Sequence, residues 1–285
     1  MAVVDAGASR GVRPLEWLIG GYATLVAIVV AARAPEMRGW EWLLLAHGLI
    51  LFLIWLLNRP GLGRTGRIIR EIFPLLLLLG LYAELDVLNA GNPRIYDDLV
   101  QRWEASLFGG QPSRDWWRAY PSAGWSFVLH GAYLAYYAIL AFPPIWLASR
   151  GNTEGIRRFL FMVMTAFVVC YVFFIFMPVA GPYYMFPRPE GPFVENVMAR
   201  MVYGALEEGS SYGAAFPSSH VAATVAALFA SWRADRALGW ILLLPTILLI
   251  VSVVYCQMHY AVDALAGLGI GIAIAATVGR LGTNR

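Results

Sequence analysis

The stretch "AAFPSSHVAATVAALFA", residues 214–230, opens an apolar helix with a proline, two serines and a histidine. A membrane span ordinarily begins on an inert cap, and Pro217, Ser218, Ser219 and His220 are not inert. Either they only start a helix, or they form half of a site. A second stretch decides between these readings. "YCQMHYAVDALAG", residues 255–267, begins another apolar run with His259 and Asp263 four positions apart.

The surrounding composition makes both runs membrane segments. The chain has 285 residues, of which 59% are hydrophobic and 14% charged, with mean hydropathy +0.62. A soluble domain carries roughly 25% charged residues. A hydrocarbon core needs about 20 helical residues per crossing. Apolar blocks of that order run at 15–32, 40–57, 68–88, 124–148, 157–178, 217–232, 237–256 and 259–278. The expected class is an all-α polytopic membrane helix bundle of about eight transmembrane helices. Pro74 and the pair Pro143–Pro144 should kink their helices. Cys170 and Cys256 both lie in apolar blocks and form no disulfide framework. A net charge of +3, dispersed along the chain, excludes a nucleic-acid surface. Ala32-Arg33-Ala34 is followed by Pro35, which blocks cleavage there, so the first block reads as a retained span.

Arginine counts set the orientation, since cytoplasmic loops gather positive charge. The side holding the N-terminus carries 13 arginines, crowded into short loops, against 8 on the other. Both termini are therefore expected in the cytoplasm, and the protein is expected in the plasma membrane with its site outside. The two long connections, 89–123 and 179–216, fall on that outer side. The first contains "IYDDLVQRWEASLFGG", where Leu99, Trp103, Leu107 and Phe108 recur at helical spacing opposite charged positions. It reads as an amphipathic helix lying in the interface. The second, with "PVAGPYYMFPRPEGPF", reads as an irregular lid. Loops of this length in a compact bundle are usually functional.

His259 and Asp263 share a helix face and can touch. A carboxylate on one imidazole nitrogen fixes the tautomer and makes the other a better nucleophile or base. The interval from His220 to His259 is 39 residues, and two crossings at 1.5 Å per residue need about 40. Both histidines should thus lie at one depth near the outer face, within about 8 Å so as to flank one phosphate. Ionisable groups in membrane segments are functional candidates by default. Pro217 as a first-turn residue would leave the amides of Ser218, Ser219 and His220 free, and free amides at a helix N-terminus suit phosphate.

"PSSH" with the later "HYAVD" resembles motifs two and three of the type 2 phosphatidic acid phosphatase superfamily, which also includes vanadium haloperoxidases. The resemblance implies that His259 attacks phosphorus to form a phosphohistidine, that Asp263 orients it, and that His220 protonates the leaving group and then activates the acceptor. It implies no metal and no cofactor, and a six-helix catalytic core. The expected division is a tail with two accessory helices over 1–67 and a catalytic membrane domain over 68–285. Two motif cations are absent. The first-motif arginine matches Arg188, beside Pro189, but its lysine position is Gly181; the third-motif arginine position is Val253. His-Tyr-x-Val-Asp, "LFGGQPS" and "PVAGPYY" look like the inositol phosphorylceramide synthase branch, which transfers a phospho-head-group between a lipid and an alcohol.

The expected site is therefore His259, Asp263 and His220 for catalysis, with Ser218, Ser219 and Arg188 on the phosphate. Tyr183, Tyr184, His130, Glu84 and Asp86 are further pocket candidates, with Glu84 and Asp86 suited to a polyol head group or to pairing with Arg94. His47 reads as structural. The substrate class is a phospholipid or polyprenyl phosphate, taken from the bilayer. Transfer is the leading expectation and hydrolysis of a lipid phosphate or polyprenyl pyrophosphate its rival. A transporter or inactive lipid-binding protein would also need a polar pocket, although it would not need His220, His259 and Asp263 together.

Overall fold

A computed structural model of the chain describes residues 11–34, 37–90, 94–209 and 211–281. Pro35 and the terminal arginines Arg10 and Arg285, which enter the readings above, lie outside the described residues. Among those residues there are twelve α-helices and no strand, so the protein is a multi-pass helical membrane bundle. Eight helices coincide with the eight apolar blocks: α1 Pro14–Arg33, α2 Trp40–Leu57, α3 Arg64–Asn89, α6 Ala123–Ser149, α7 Thr153–Phe176, α10 Ser219–Ala234, α11 Arg236–Tyr255 and α12 Ala261–Leu281. The rest are α4 Asp97–Phe108, α5 Pro112–Ala119, α8 Pro182–Met185 and α9 Val197–Gly209.

Six of the eight, all but α3 and α10, are long and apolar enough to cross a membrane. The two exceptions have distinct causes. α3 carries Arg67, Arg70, Glu71, Glu84 and Asp86 within its 26 residues. α10 has 16 residues, about 24 Å at 1.5 Å per residue, and its neighbours are protein. The helices continue through Pro74, Pro143 and Pro144.

By packing, the chain divides into two compact units, 1–91 and 92–285. Polar bonds explain why α3 belongs with α1 and α2. Arg70 pairs with Glu16 at 2.5 Å and donates to Asn58 at 2.8 Å, and Arg13 pairs with Glu71 at 2.9 Å. Farther along the same helices Tyr22 donates to Glu84 at 2.7 Å, with His47 Nε2 3.2 Å from that carboxylate. In a dry interior such groups must satisfy one another.

In the second unit α10 is the central element, packed by α7, α12, α11 and α6. Its Ala222, Ala223, Ala226, Ala227 and Ala230 are all buried. Small residues let membrane helices approach closely enough for van der Waals attraction to hold them. α12 answers with two glycines one turn apart. A Cβ on Gly267 would fall on the Ser218 carbonyl oxygen, and one on Gly271 would stand 2.7 Å from Val225 Cβ. The approach of α12 to the start of α10 is thus set by glycine.

The two long connections are more ordered than loops. Residues 89–123 supply α4 and α5. α4 is amphipathic as expected, with Trp103, Leu107 and Phe108 exposed, while Asp97, Val100 and Glu104 are buried against the protein. Asp97 and Glu104 face inward and the apolar side outward, the polarity suited to a lipid interface. Residues 179–216 were expected to be irregular. They contain α8, a 3₁₀ turn at Gly191–Phe193 and the 13-residue α9, which packs on α6.

Candidate active site

The start of α10 is built around Ser218, whose hydroxyl accepts the Val221 amide at 3.4 Å as an N-cap. Pro217 therefore precedes the cap, one correction to the sequence reading. A second concerns the amides. Ser218 N–H donates to the Asp263 carbonyl at 3.0 Å, because the Gly267 contact brings α12 so close. That leaves the Ser219 and His220 amides as the donors of the first turn.

The segment bearing His259 leaves α11 sharply. The amides of Met258 and His259 both donate to the Val253 carbonyl, at 3.0 and 2.8 Å. Gln257 has φ +61°, a left-handed conformation unusual for a residue with a side chain. Its amide group is held in turn: Trp117 and Arg118 donate to Oε1 at 3.0 and 2.9 Å, and Nε2 donates to the Pro187 carbonyl at 3.0 Å. The fixed turn aims the next ring but one, His259, at α10.

The two histidines meet, with ring centroids 5.7 Å apart. His259 Nδ1 lies 3.0 Å from the Ala215 carbonyl oxygen and 3.5 Å from Asp263 Oδ2. The nearer partner is thus the main chain, and Asp263 stands beyond hydrogen-bond contact, where it accepts the Tyr260 amide at 2.8 Å. With the Nδ1 proton on the carbonyl, Nε2 keeps its lone pair. His220 lies in an aromatic slot: its ring is 5.0 Å from Tyr133 and 4.4 Å from Tyr136, and Nε2 is 3.3 Å from the Tyr133 hydroxyl. An imidazole nitrogen with its lone pair free and a second imidazole at this separation can flank one phosphorus, and the Ser219 and His220 amides lie in the same first turn as the His220 ring.

The missing motif cations have a structural counterpart. Gly181 sits at φ +94°, and a Cβ there would lie 2.8 Å from Ala215 Cβ. A lysine has no room at that position. Val253 is fully buried in α11. Arg188 is half exposed, stacks on Tyr183 at 4.5 Å and lies 3.8 Å from Glu207.

The remaining expected residues fall in several places. Tyr183 is buried and Tyr184 exposed, edge to face with it. His130 is fully buried one turn before Tyr133, with Nδ1 2.9 Å from the Ser126 carbonyl. Glu84 belongs to the first unit, where Tyr22 and His47 occupy its carboxylate, and Asp86 is exposed on the same helix. Sequence reading missed Ala215, Tyr133, Tyr136 and Gln257. Only Tyr133 carried a signal, its one-turn spacing from His130.

Two imidazoles with ring centroids 5.7 Å apart, one beside a carboxylate and the other in the first turn of a helix, thus stand together in a membrane helix bundle. The PAP2 superfamily model matches residues 99–277, and the chain belongs to that superfamily. Undecaprenyl-diphosphatase BcrC of Bacillus subtilis (strain 168) is 29% identical over 144 residues, covering 50% of this chain and 68% of the relative. No solved structure shows a significant match to the chain.

Proposed function

We propose that the protein hydrolyses a lipid phosphate, with a polyprenyl diphosphate as the leading substrate class. The observation that carries the chemistry is the 5.7 Å pairing of His220 with His259, whose Nδ1 is already committed to Ala215. The undecaprenyl diphosphate in the relative's name supports the substrate class and favours hydrolysis over transfer.

The steps follow from the placement. His259 Nε2 donates its lone pair to the terminal phosphorus. The bridging P–O bond breaks, and protonated His220 gives its proton to the departing oxygen of the polyprenyl phosphate. Neutral His220 then takes a proton from water, whose oxygen attacks the phosphohistidine, releasing inorganic phosphate and restoring both imidazoles. The amides of Ser219 and His220 stabilise the extra negative charge. Asp263, buried beside the ring, favours the imidazolium character that develops on His259. Positive-inside counting supports a site on the extracytoplasmic side of the membrane.

Transfer is the second reading, favoured by the "HYAVD", "LFGGQPS" and "PVAGPYY" likeness to inositol phosphorylceramide synthases. Only the acceptor differs. One experiment separates the two: purified wild type and His259→Ala are given radiolabelled undecaprenyl diphosphate, phosphatidate or phosphatidylinositol, with and without ceramide. Hydrolysis predicts labelled inorganic phosphate from the diphosphate, independent of ceramide and absent in His259→Ala. Label appearing in ceramide alone would select transfer. Equal phosphate release by the variant would overturn the mechanism.

A further inference from the structure

The inward face of α4 holds three polar side chains in register, Asp97, Gln101 and Glu104, at spacings of four and three. All three reach the chain around His259. The Ala180 and Gly181 amides donate to Asp97 at 2.8 Å each, and the Tyr260 hydroxyl donates to the same carboxylate at 3.0 Å. Gln101 Nε2 donates to the Tyr260 hydroxyl oxygen at 2.9 Å. The Ala261 amide donates to Glu104 at 2.7 Å, and the Ser113 hydroxyl to its other oxygen at 3.1 Å. Asp97 and Glu104 are buried.

These bonds grip His259 from two directions. Tyr260 and Ala261 follow it directly. On the other side Asp97 fixes Ala180 and Gly181, next to Val179, and Val179 exchanges bonds with the segment that supplies the histidine's partner. The Ala215 amide donates to the Val179 carbonyl at 2.9 Å, and the Val179 amide to the Gly213 carbonyl at 3.1 Å. Val100 of α4 packs with Val179, Ala215, Tyr260 and Val262 in one buried cluster beneath. The helix therefore touches both the segment carrying the nucleophile and the segment carrying the acceptor of its Nδ1 proton.

We propose that Asp97 and Glu104 are positioning residues. Through backbone amides they hold His259 Nε2 in line for attack, so that an interface helix sets the geometry of the phosphoryl site. The effect on rate rests on the hydrolytic reading above; the effect on geometry does not. Two buried carboxylates close to a phosphate site would repel substrate if left open. Here their oxygens are occupied by amide and hydroxyl donors, so they act as fixed acceptors.

The two positions differ in how much a neutral amide can keep. Glutamine at 104 keeps the Ala261 amide on its carbonyl oxygen but turns an NH₂ toward Ser113, whose hydroxyl and backbone amide both donate to the carboxylate. Asparagine at 97 cannot replace a carboxylate whose two oxygens both receive N–H donors. Losing a hydrogen bond to a charged group costs about 1.5–3 kcal/mol, equivalent to roughly 10–150-fold in rate. With detergent-purified full-length protein, Glu104→Ala, Asp97→Ala and Asp97→Asn should each lose about that factor in kcat with KM within about twofold, and Glu104→Gln, which keeps the Ala261 bond, should lose less than Glu104→Ala. A parallel measurement needs no substrate. Hydrogen–deuterium exchange of the peptides covering Val179–Tyr184 and Cys256–Ala264 should accelerate in Asp97→Ala, and that of the second peptide in Glu104→Ala, with α7 unchanged. Unaltered exchange in the two peptides overturns the proposal whatever the enzyme acts on. Altered exchange with undiminished kcat also overturns it, since the grip would not serve the reaction. Accelerated exchange throughout the protein would mark a general folding role and overturn it too. If wild type releases no phosphate from any lipid, the hydrolytic reading fails while the exchange result still decides the positioning.

Discussion

The Ala215 carbonyl oxygen lies 3.0 Å from His259 Nδ1, nearer than either oxygen of the aspartate that the motif pairs with this ring. The tautomer that leaves Nε2 free is therefore held by main chain. Asp263 retains an electrostatic task and the task of accepting the Tyr260 amide.

His259→Ala and Asp263→Asn should consequently differ widely in severity. On the proposed mechanism, His259→Ala removes the nucleophile and should abolish phosphate release. Asp263→Asn keeps a side-chain acceptor for Tyr260 and the Ala215 bond to His259, and loses the carboxylate charge 3.5 Å from the ring, an electrostatic interaction of about 1.5–3 kcal/mol between the limits for water and for a partly screened pair. Its kcat should fall about 10–150-fold, with KM nearly unchanged. Initial-rate phosphate release on both variants checks this. Equal inactivity in the two, with Asp263→Asn eluting as folded protein, would show that the carbonyl does not suffice to hold the ring.

Tyr133 offers a second test. Its hydroxyl is 3.3 Å from His220 Nε2, and its ring lies stacked at 28° to the imidazole. Tyr133→Phe keeps the stack and deletes the bond. A neutral hydrogen bond contributes about 0.5–1.5 kcal/mol, so kcat should drop about 2–10-fold. Tyr133→Ala removes the wall as well and should cost more. A Phe variant as impaired as the Ala variant would mean that the hydroxyl, not the stacking surface, does most to hold His220.

Gly181 tests whether the missing cation can be put back. The position where related motifs carry lysine has φ +94° and faces Ala215 Cβ at 2.8 Å. A side chain there strains the backbone by about 1–3 kcal/mol and pushes Ala215 away from His259. Gly181→Lys should lower kcat rather than raise it, and Gly181→Ala should lower it comparably, because the backbone rather than the charge is at fault. Melting temperatures and kcat for the pair give the answer. Higher activity in the lysine variant would show that the loop adapts and that the site lacks only charge.

The sequence carried more of the site than of its supports, for identifiable reasons. His220, His259 and Asp263 were legible because ionisable side chains in apolar runs stand out, and because 39 residues is two crossings. The eight long helices were legible from apolar block length. Ala215 was not, since it acts through a carbonyl that every residue has. The association of α3 with α1 and α2 was hidden because it depends on which residues Arg70 and Glu84 bond. The inward polarity of α4 was half legible. Its periodicity showed two faces, but only the fold brings the amides of Gly181 and Ala261 to the acidic one.

Glu104 should leave a mark on stability that depends on pH. Burial pushes its carboxyl above the ordinary glutamate range, against the lowering effect of the Ala261 and Ser113 donors, and nearby Asp115 adds a small push upward. A raised pKa in the folded state means that the folded protein keeps the proton longer than the unfolded chain. The associated stability is complete below the ordinary glutamate pKa and is lost as pH climbs through the raised value. Within that window each pH unit removes about 1.4 kcal/mol. Glu104→Gln cannot ionise and escapes the loss. Melting curves in detergent from pH 4 upward should therefore show wild type losing ground to Glu104→Gln as pH increases, with the gap levelling once the carboxyl is ionised. Parallel curves for the two proteins across the whole range would mean that the Ala261 and Ser113 hydrogen bonds fully offset the burial.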